Sequence, residues 1–171
     1  MKIQVLHSEV WNGGGDRLIF CLAQALLEAG HQVTVTTTWL DKYWIQNPIN
    51  SKIAIEIIEA PFIFPGDWHF RNLYIAYKQY FRNKSLKYPY DLVISDFSPS
   101  IIPMLRFLYG KSGQELKQVY YCHYPQQLWV PAQNQRIWVY QLYVWILSML
   151  EEWCMNFADS IIHNSQFTCK L

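Results

Sequence analysis

The chain has 171 residues, of which 51% are hydrophobic and 16% are charged, and its formal net charge at pH 7 is +1. This composition excludes an intrinsically disordered chain. The near-neutral charge excludes a protein that binds nucleic acid through bulk positive charge. Aromatic residues make up 17% of the chain. One small core does not need so many rings, so we expect some of them to face a partner, a ligand or a membrane.

The cysteines and the apolar segments limit the class of protein further. The 4 Cys residues contain no CxxC pair, so the sequence indicates neither a zinc site nor a disulfide framework. The first residues resemble a strand and not a signal peptide. The most apolar stretch, residues 137–150, is shorter than the about 20 residues that cross a bilayer. We therefore expect a buried or interfacial helix there, and no metal.

Strand-like and helix-like patterns alternate along the whole chain. Apolar or β-branched runs predict strands at residues 2–7, 32–38, 53–59, 90–95, 117–122 and 159–163. Apolar residues at helical spacing predict helices at residues 16–29, 70–83, 98–109 and 136–157, with another beginning at Ser165. This alternation predicts an α/β fold with a doubly wound parallel sheet, Rossmann-like, and no linker divides residues 1–171.

The turn after the first predicted strand contains Gly13, Gly14 and Gly15. Glycines allow the backbone to approach a ligand, and the first turn of a doubly wound sheet lies where ligands bind. The spacing matches neither GxGxxG nor GxxxxGK[ST], so it supports neither a dinucleotide site nor a P-loop. A plain turn that joins strand to helix is the alternative.

Two further candidates stand at predicted strand ends. His123 follows the fifth strand, where it could hydrogen-bond a substrate hydroxyl or act on a phosphate, although a lone histidine is also often structural. Asp96 follows the fourth strand and could accept hydrogen bonds from sugar hydroxyls, or cap the next helix. No catalytic triad or HExxH motif is visible.

Residues 68–88 are basic and aromatic and contain no acid. Trp68, Arg71, Lys78 and Arg82 belong to this segment, which suits an anionic membrane surface. Single-stranded nucleic acid is a competing partner, and an ordinary solvated helix is the structural alternative. The helix predicted over residues 136–157 adds a second set of aromatic residues, which core packing explains equally well.

Four segments occur in an order that resembles a known family. They are GGGDR at residues 13–17, VYYCHYP at 119–125, LEEW at 150–153 and ADSIIHNSQFT at 158–168. Together they resemble the N-terminal domain of glycosyltransferase family 4, most closely the mannosyltransferases that extend dolichol-linked oligosaccharide. Asp16 stands where this family usually has Glu, and Tyr124 where it usually has Phe.

The resemblance implies a GT-B fold of two Rossmann-like domains, of which residues 1–171 are the N-terminal, acceptor-side half. It implies a retaining hexosyl transfer, without metal or other cofactor, from a nucleotide-sugar, GDP-mannose by analogy, to a lipid-linked saccharide. It also implies a place on the cytoplasmic face of a membrane, the endoplasmic reticulum in a eukaryote. By the same resemblance residues 13–15 line the cleft, His123 hydrogen-bonds the transferred sugar, and Asn164 and Ser165 lie near the interdomain hinge.

The family's donor-binding domain carries an ExxxxxxxE pair, which this sequence lacks. We therefore expect that the chain alone is inactive and needs a second half. The alternative is a catalytically silent domain that binds or regulates a partner. A different nucleotide-dependent Rossmann enzyme is disfavoured by the missing GxGxxG and by the lack of an acidic residue after the second strand.

Overall fold

The computed structural model describes residues 1–46, 52–61, 68–82, 88–110, 115–123 and 138–164. The strands are β1 (Lys2–Leu6), β2 (Gln32–Thr37), β3 (Ala54–Ile57), β4 (Leu92–Asp96), β5 (Lys117–Cys122) and β6 (Ser160–His163). The helices are α1 (Gly14–Glu28), α2 (Lys42–Gln46), α3 (Trp68–Arg82), α4 (Ile101–Tyr109) and α5 (Trp138–Met155). Strand and helix alternate throughout, as the sequence predicts.

The strands form one parallel sheet in the order β3-β2-β1-β4-β5-β6. The chain winds outward from β1 to β3, then crosses to β4 and winds outward in the other direction. The strand order therefore reverses between β1 and β4, which is the switch point of a doubly wound sheet. Leu6 pairs with Ser95, and Asp96 pairs with Tyr121, so the ends of β1, β4 and β5 lie side by side.

Helices cover both faces of the sheet, and each face has its own core. On one face Ile19, Phe20 and Ala23 of α1 and Trp44 of α2 pack around Val5. On the other face α3 and α4 pack around Leu6 and Tyr120. Successive side chains of a strand point to opposite faces, which is why neighbouring Val5 and Leu6 serve different cores.

Sequence and structure differ in two places. The short helix α2 was not expected. Helix α4 begins at Ile101 and not at 98, because the backbone turns sharply at Phe97, whose φ is 68°, and Pro99 follows. A left-handed residue cannot continue a right-handed helix. The helix predicted to begin at Ser165 lies outside the described residues.

Candidate functional site

Three titratable side chains meet where neighbouring strands end. His7 follows β1, Asp96 is the last residue of β4, and His123 follows β5. Since β1, β4 and β5 are adjacent and parallel, their carboxyl ends bring these side chains together. Asp16, in the first turn of α1, completes a group of four that we call the histidine–carboxylate cluster (His7, Asp16, Asp96 and His123).

His7 lies between the two carboxylates of the cluster. Its Nδ1 is 2.5 Å from Oδ2 of Asp96, and its Nε2 is 2.9 Å from Oδ1 of Asp16. The side chain of His7 is 2% exposed and that of Asp96 is fully buried. Both ring nitrogens therefore face carboxylate oxygens in a site that excludes water, which makes each contact stronger than it would be at the surface.

The charges of the cluster are coupled. Burial alone would lower the pKa of His7, but the hydrogen bonds to Asp16 and Asp96 and the charges of the two carboxylates raise it to about 9. Burial raises the pKa of each carboxyl group, but the hydrogen bond from His7 to Asp16, and the closeness of His123 and His7 to Asp96, more than compensate, so both pKa values lie below their usual range. At neutral pH His7 is thus a buried cation that donates from both nitrogens, and not a free base.

His123 approaches the other oxygen of Asp96. Its Nε2 lies 3.0 Å from Asp96 Oδ1, and its side chain is 14% exposed. The two atoms lie at the distance of an ion pair, and neither has a hydrogen-bond partner among the described residues. Phe97 and Tyr121 flank the His123 ring, with centroids at 6.3 Å and 4.7 Å.

Asn164 also helps to place His123. Its side-chain amide donates a hydrogen bond of 2.9 Å to the backbone carbonyl of His123. Asn164, predicted to bind substrate, thus holds the end of β5 beside His123, the predicted catalytic residue. Ser165, predicted beside it, lies outside the described residues.

The glycines of the first turn have different surroundings. The N–H of Gly13 donates to Asp16 Oδ2 at 2.8 Å, and a Cβ on Gly13 would lie 2.9 Å from that same oxygen. Gly13 is therefore required by the turn itself. Among the described residues, a Cβ on Gly14 or Gly15 would meet no atom within 4 Å, so these two backbone segments face open space there.

The structure places the predicted substrate residues in two groups. Gly14 and Gly15 border open space, and their role in binding a ligand stays a prediction. Asp96 does not reach the surface, and its carboxylate is engaged by His7 and His123. Burial argues against direct contact between Asp96 and a substrate, and the side chain does not cap α4, which has no side-chain cap hydrogen bond.

The basic residues of α3 do not share one environment. Arg71 is 11% exposed, and its Nη1 lies 2.6 Å from Glu9 Oε1 and donates to Thr38 Oγ1 at 3.2 Å. Arg71 therefore joins α3 to the residues that follow β1 and β2. The sequence predicted that it faces a membrane surface, and this burial does not agree with that prediction. Arg82 is 61% exposed, and Lys78 lies over the ring of Tyr74. The side chain of Trp68 lies outside the described residues.

Helix α5 presents apolar residues outward. The exposed ones form an apolar stripe at helical spacing: Trp138, Val139, Leu142, Trp145, Ile146, Met149, Leu150 and Trp153. The first 13 residues of the helix, WVYQLYVWILSML, contain no charged residue. Core packing does not explain this stripe, because its members are between 38% and 73% exposed. Among the described helices none is long and apolar enough to cross a membrane.

His7 and Asp16 are the site residues that the sequence did not reveal. His7 ends the first predicted strand and Asp16 opens the first helix, so a search for titratable residues next to strand ends would have found both. Their link to Asp96 requires β1 and β4 to be neighbours, which is a property of the strand order. Within the described ranges, no three His, Cys, Asp or Glu side chains are arranged to hold a metal ion.

Comparison with known proteins gives one family. The model of Glycosyltransferase Family 4 matches residues 12–171. Proteins named alpha-1,3/1,6-mannosyltransferase ALG2 are similar over almost the whole chain: that of Candida glabrata is 28% identical over 98% of this chain and 36% of its own length. The ALG2 of Eremothecium gossypii is 30% identical over 98% and 32%. The chain thus spans about a third of the length of these relatives.

Solved structures share the fold. Sucrose-phosphate synthase from Thermosynechococcus elongatus superposes with a TM-score of 0.58 at 16% identity, over 94% of this chain and 41% of that one. UGT89C1 of Arabidopsis thaliana, complexed with UDP, superposes with a TM-score of 0.56 at 13% identity, over 99% and 47%. These matches confirm the predicted fold class, a Rossmann-like domain of the GT-B type.

Proposed function

Because the chain belongs to glycosyltransferase family 4, we propose that it is the acceptor-side domain of a mannosyltransferase that acts on a lipid-linked saccharide at a membrane surface. The observation that supports this proposal is that His123 is connected, through Asp96 and His7, to Asp16 beside the glycine turn, at the carboxyl edge of the sheet next to its switch point. Ligands of doubly wound folds bind in the crevice at this point. His123 would hydrogen-bond the transferred sugar, and Gly14 and Gly15 would border the donor phosphates and the acceptor.

The proposed reaction is a retaining hexosyl transfer, with GDP-mannose as the donor. The bond between the anomeric carbon and the diphosphate oxygen breaks, and an acceptor hydroxyl oxygen bonds to that carbon on the same face. The hydroxyl proton passes to the leaving diphosphate. A second domain would supply the positive charge that stabilises the diphosphate, since stabilisation of developing charge is usually the largest catalytic term.

The proposed membrane surface is the face that carries α3 and α5. The apolar stripe of α5 contains Trp138, Trp145 and Trp153, and tryptophan is enriched where proteins meet the bilayer interface. Arg82, exposed at the end of α3, adds positive charge on the same face of the sheet. A helix with an exposed apolar side can lie in the headgroup region of a bilayer. We propose the cytoplasmic face of the membrane, that of the endoplasmic reticulum in a eukaryote.

The function is tested with a chimera in which residues 1–171 replace the matching part of the Saccharomyces cerevisiae ALG2, 27% identical over 97% of this chain. We expect transfer of labelled mannose from GDP-mannose to a dolichol-linked saccharide, and a loss of about 100-fold or more in His123→Ala. Asp91→Asn, at the opposite end of β4, is the control. A folded chimera that binds GDP-mannose but transfers no mannose would overturn the proposal.

A further inference from the structure

The proposed transfer gives no part to Asp96, the buried last residue of β4. Asp96 is fully buried, yet it faces a histidine with each of its two oxygens, His7 at 2.5 Å and His123 at 3.0 Å. A buried carboxylate is costly unless it is paired and hydrogen-bonded. The free-energy cost of burying the Asp96 carboxylate is therefore offset by its contacts with these two rings.

His7 neutralises one of the two carboxylates of the cluster. His7 is held between Asp16 and Asp96, and the Asp16 oxygens also accept the backbone N–H groups of Trp11 at 3.0 Å and Gly13 at 2.8 Å. Asp16 is thus satisfied from several sides. With one cation and two carboxylates the group retains one negative charge, and Oδ1 of Asp96 is the oxygen without a hydrogen-bond partner among the described residues.

The atom that faces Asp96 Oδ1 is Nε2 of His123. This nitrogen is also buried, and it has no hydrogen-bond partner in the described part of the chain. Two buried atoms that each lack a partner and lie 3.0 Å apart are stabilised if the nitrogen carries a proton that points at the oxygen. In a neutral imidazole, a proton on Nε2 leaves the lone pair on Nδ1. Nδ1 is then the acceptor that remains for a ligand.

We propose that Asp96 is a positioning residue, whose carboxylate, anchored by His7, fixes the ring of His123 with Nε2–H turned inward and Nδ1 available to a sugar hydroxyl. This assignment rests on the proposed function of His123. Through His7 and Asp16 it also connects His123 to the glycine turn, so that one buried network sets both sides of the proposed cleft.

The backbone at Phe97 supports this arrangement. Its φ of 68° lies in the left-handed region, which is unfavourable for a residue with a side chain. The Phe97 ring lies between the two histidines, with centroids 5.9 Å from His7 and 6.3 Å from His123. The turn that follows Asp96 thus places an aromatic ring against both histidines that the carboxylate engages.

The test is a ¹⁵N spectrum of the imidazole groups of the full chain, recorded without saccharide or nucleotide. In the wild-type chain we expect neutral His123 in the Nε2–H form, and His7 as an imidazolium up to about pH 9. In Asp96→Asn the tautomers of His123 should mix, and the pKa of His7 should fall by about one unit or more. The control is Asp91→Asn, which removes an exposed carboxylate just before β4 and should change neither histidine.

A wild-type spectrum with the proton of neutral His123 on Nδ1, or with both tautomers averaged, would overturn the proposal even if Asp96→Asn failed to fold. So would an Asp96→Asn spectrum identical to that of the wild-type chain. Because no ligand is present, a chain that binds no sugar would contradict the proposed function and leave this result standing. The two failures are therefore distinguishable.

Discussion

At the scale of single residues, the most consequential side chain is His7. A histidine whose pKa is raised in the folded state, here from 6.5 to about 9, stabilises the protein fully below pH 6.5. This contribution is lost as the pH rises through about 9. The histidine is a buried cation between two carboxylates, so its deprotonation leaves both of them without a counter-charge.

We predict that the free energy of unfolding falls between pH 6.5 and pH 9, by up to about 3 kcal/mol. Chemical denaturation at a series of pH values measures this slope. The slope should vanish in His7→Gln, which keeps a polar side chain but cannot titrate. A profile in which the wild-type chain is equally stable at pH 6.5 and pH 9 would contradict the charge assigned to His7.

A second prediction for single residues concerns the glycines of the first turn. Gly13→Ala should destabilise the fold by about 1–3 kcal/mol, because the new Cβ meets the Asp16 carboxylate at 2.9 Å. Gly15→Ala, whose Cβ would meet no described atom within 4 Å, should leave stability unchanged or raise it slightly, yet reduce mannose transfer by the chimera. Thermal unfolding and transfer assays separate the two effects. Unchanged transfer in Gly15→Ala would show that no ligand approaches this backbone.

At the scale of elements, the helices and strands follow from local pattern. Every strand predicted from its apolar run is present, and α1, α3, α4 and α5 lie where the spacing of apolar residues predicts helices, although α4 begins at Ile101 and not at 98. The helix predicted to begin at Ser165 lies outside the described residues. The sequence did not indicate α2, a helix of 5 residues. The sequence also misjudged Arg71, because a basic residue in a basic segment suggests a solvated surface. Only the approach of α3 to half-buried Glu9 and buried Thr38 gives Arg71 its partners.

The apolar stripe of α5 predicts binding to lipid vesicles. Replacement of Trp138 and Trp145 with Ser should weaken co-sedimentation with vesicles about tenfold or more, because each exposed indole contributes apolar area at the interface. The control is Trp11→Ser, an indole that is 53% exposed at the carboxyl edge of the sheet. Equal loss in both proteins would mean that the stripe is not the contact.

Two basic residues of α3, half-buried Lys78 and exposed Arg82, predict a dependence on lipid charge. Lys78→Glu with Arg82→Glu should weaken binding to anionic vesicles and reduce its sensitivity to salt, since each cation near such a surface contributes about 1 kcal/mol. Lys42→Glu on α2, which packs on the opposite face of the sheet, is the matched control. Arg71 is left unchanged, because its replacement would remove its contacts with Glu9 and Thr38. An effect on folding could then not be separated from an effect on vesicle binding.

At the scale of the whole molecule, the strand order creates the candidate site. His7, Asp96 and His123 are far apart in sequence and meet only because β1 lies beside β4 and β4 beside β5. Asp96 and His123 were each predicted from a strand end. Their contact, and the part played by His7 and Asp16, could not be predicted, because pairing of parallel strands is decided by long-range packing and not by local pattern.

In the proposed function, this chain binds the saccharide acceptor and another domain binds the donor nucleotide. Calorimetric titration of the purified chain tests this division most directly, with a soluble short-chain analogue of a dolichol-linked saccharide in one series and GDP-mannose in the other. We predict that the saccharide binds this chain and that GDP-mannose gives no measurable heat. Tight binding of GDP-mannose, with no binding of the saccharide, would contradict this division of acceptor and donor between two domains.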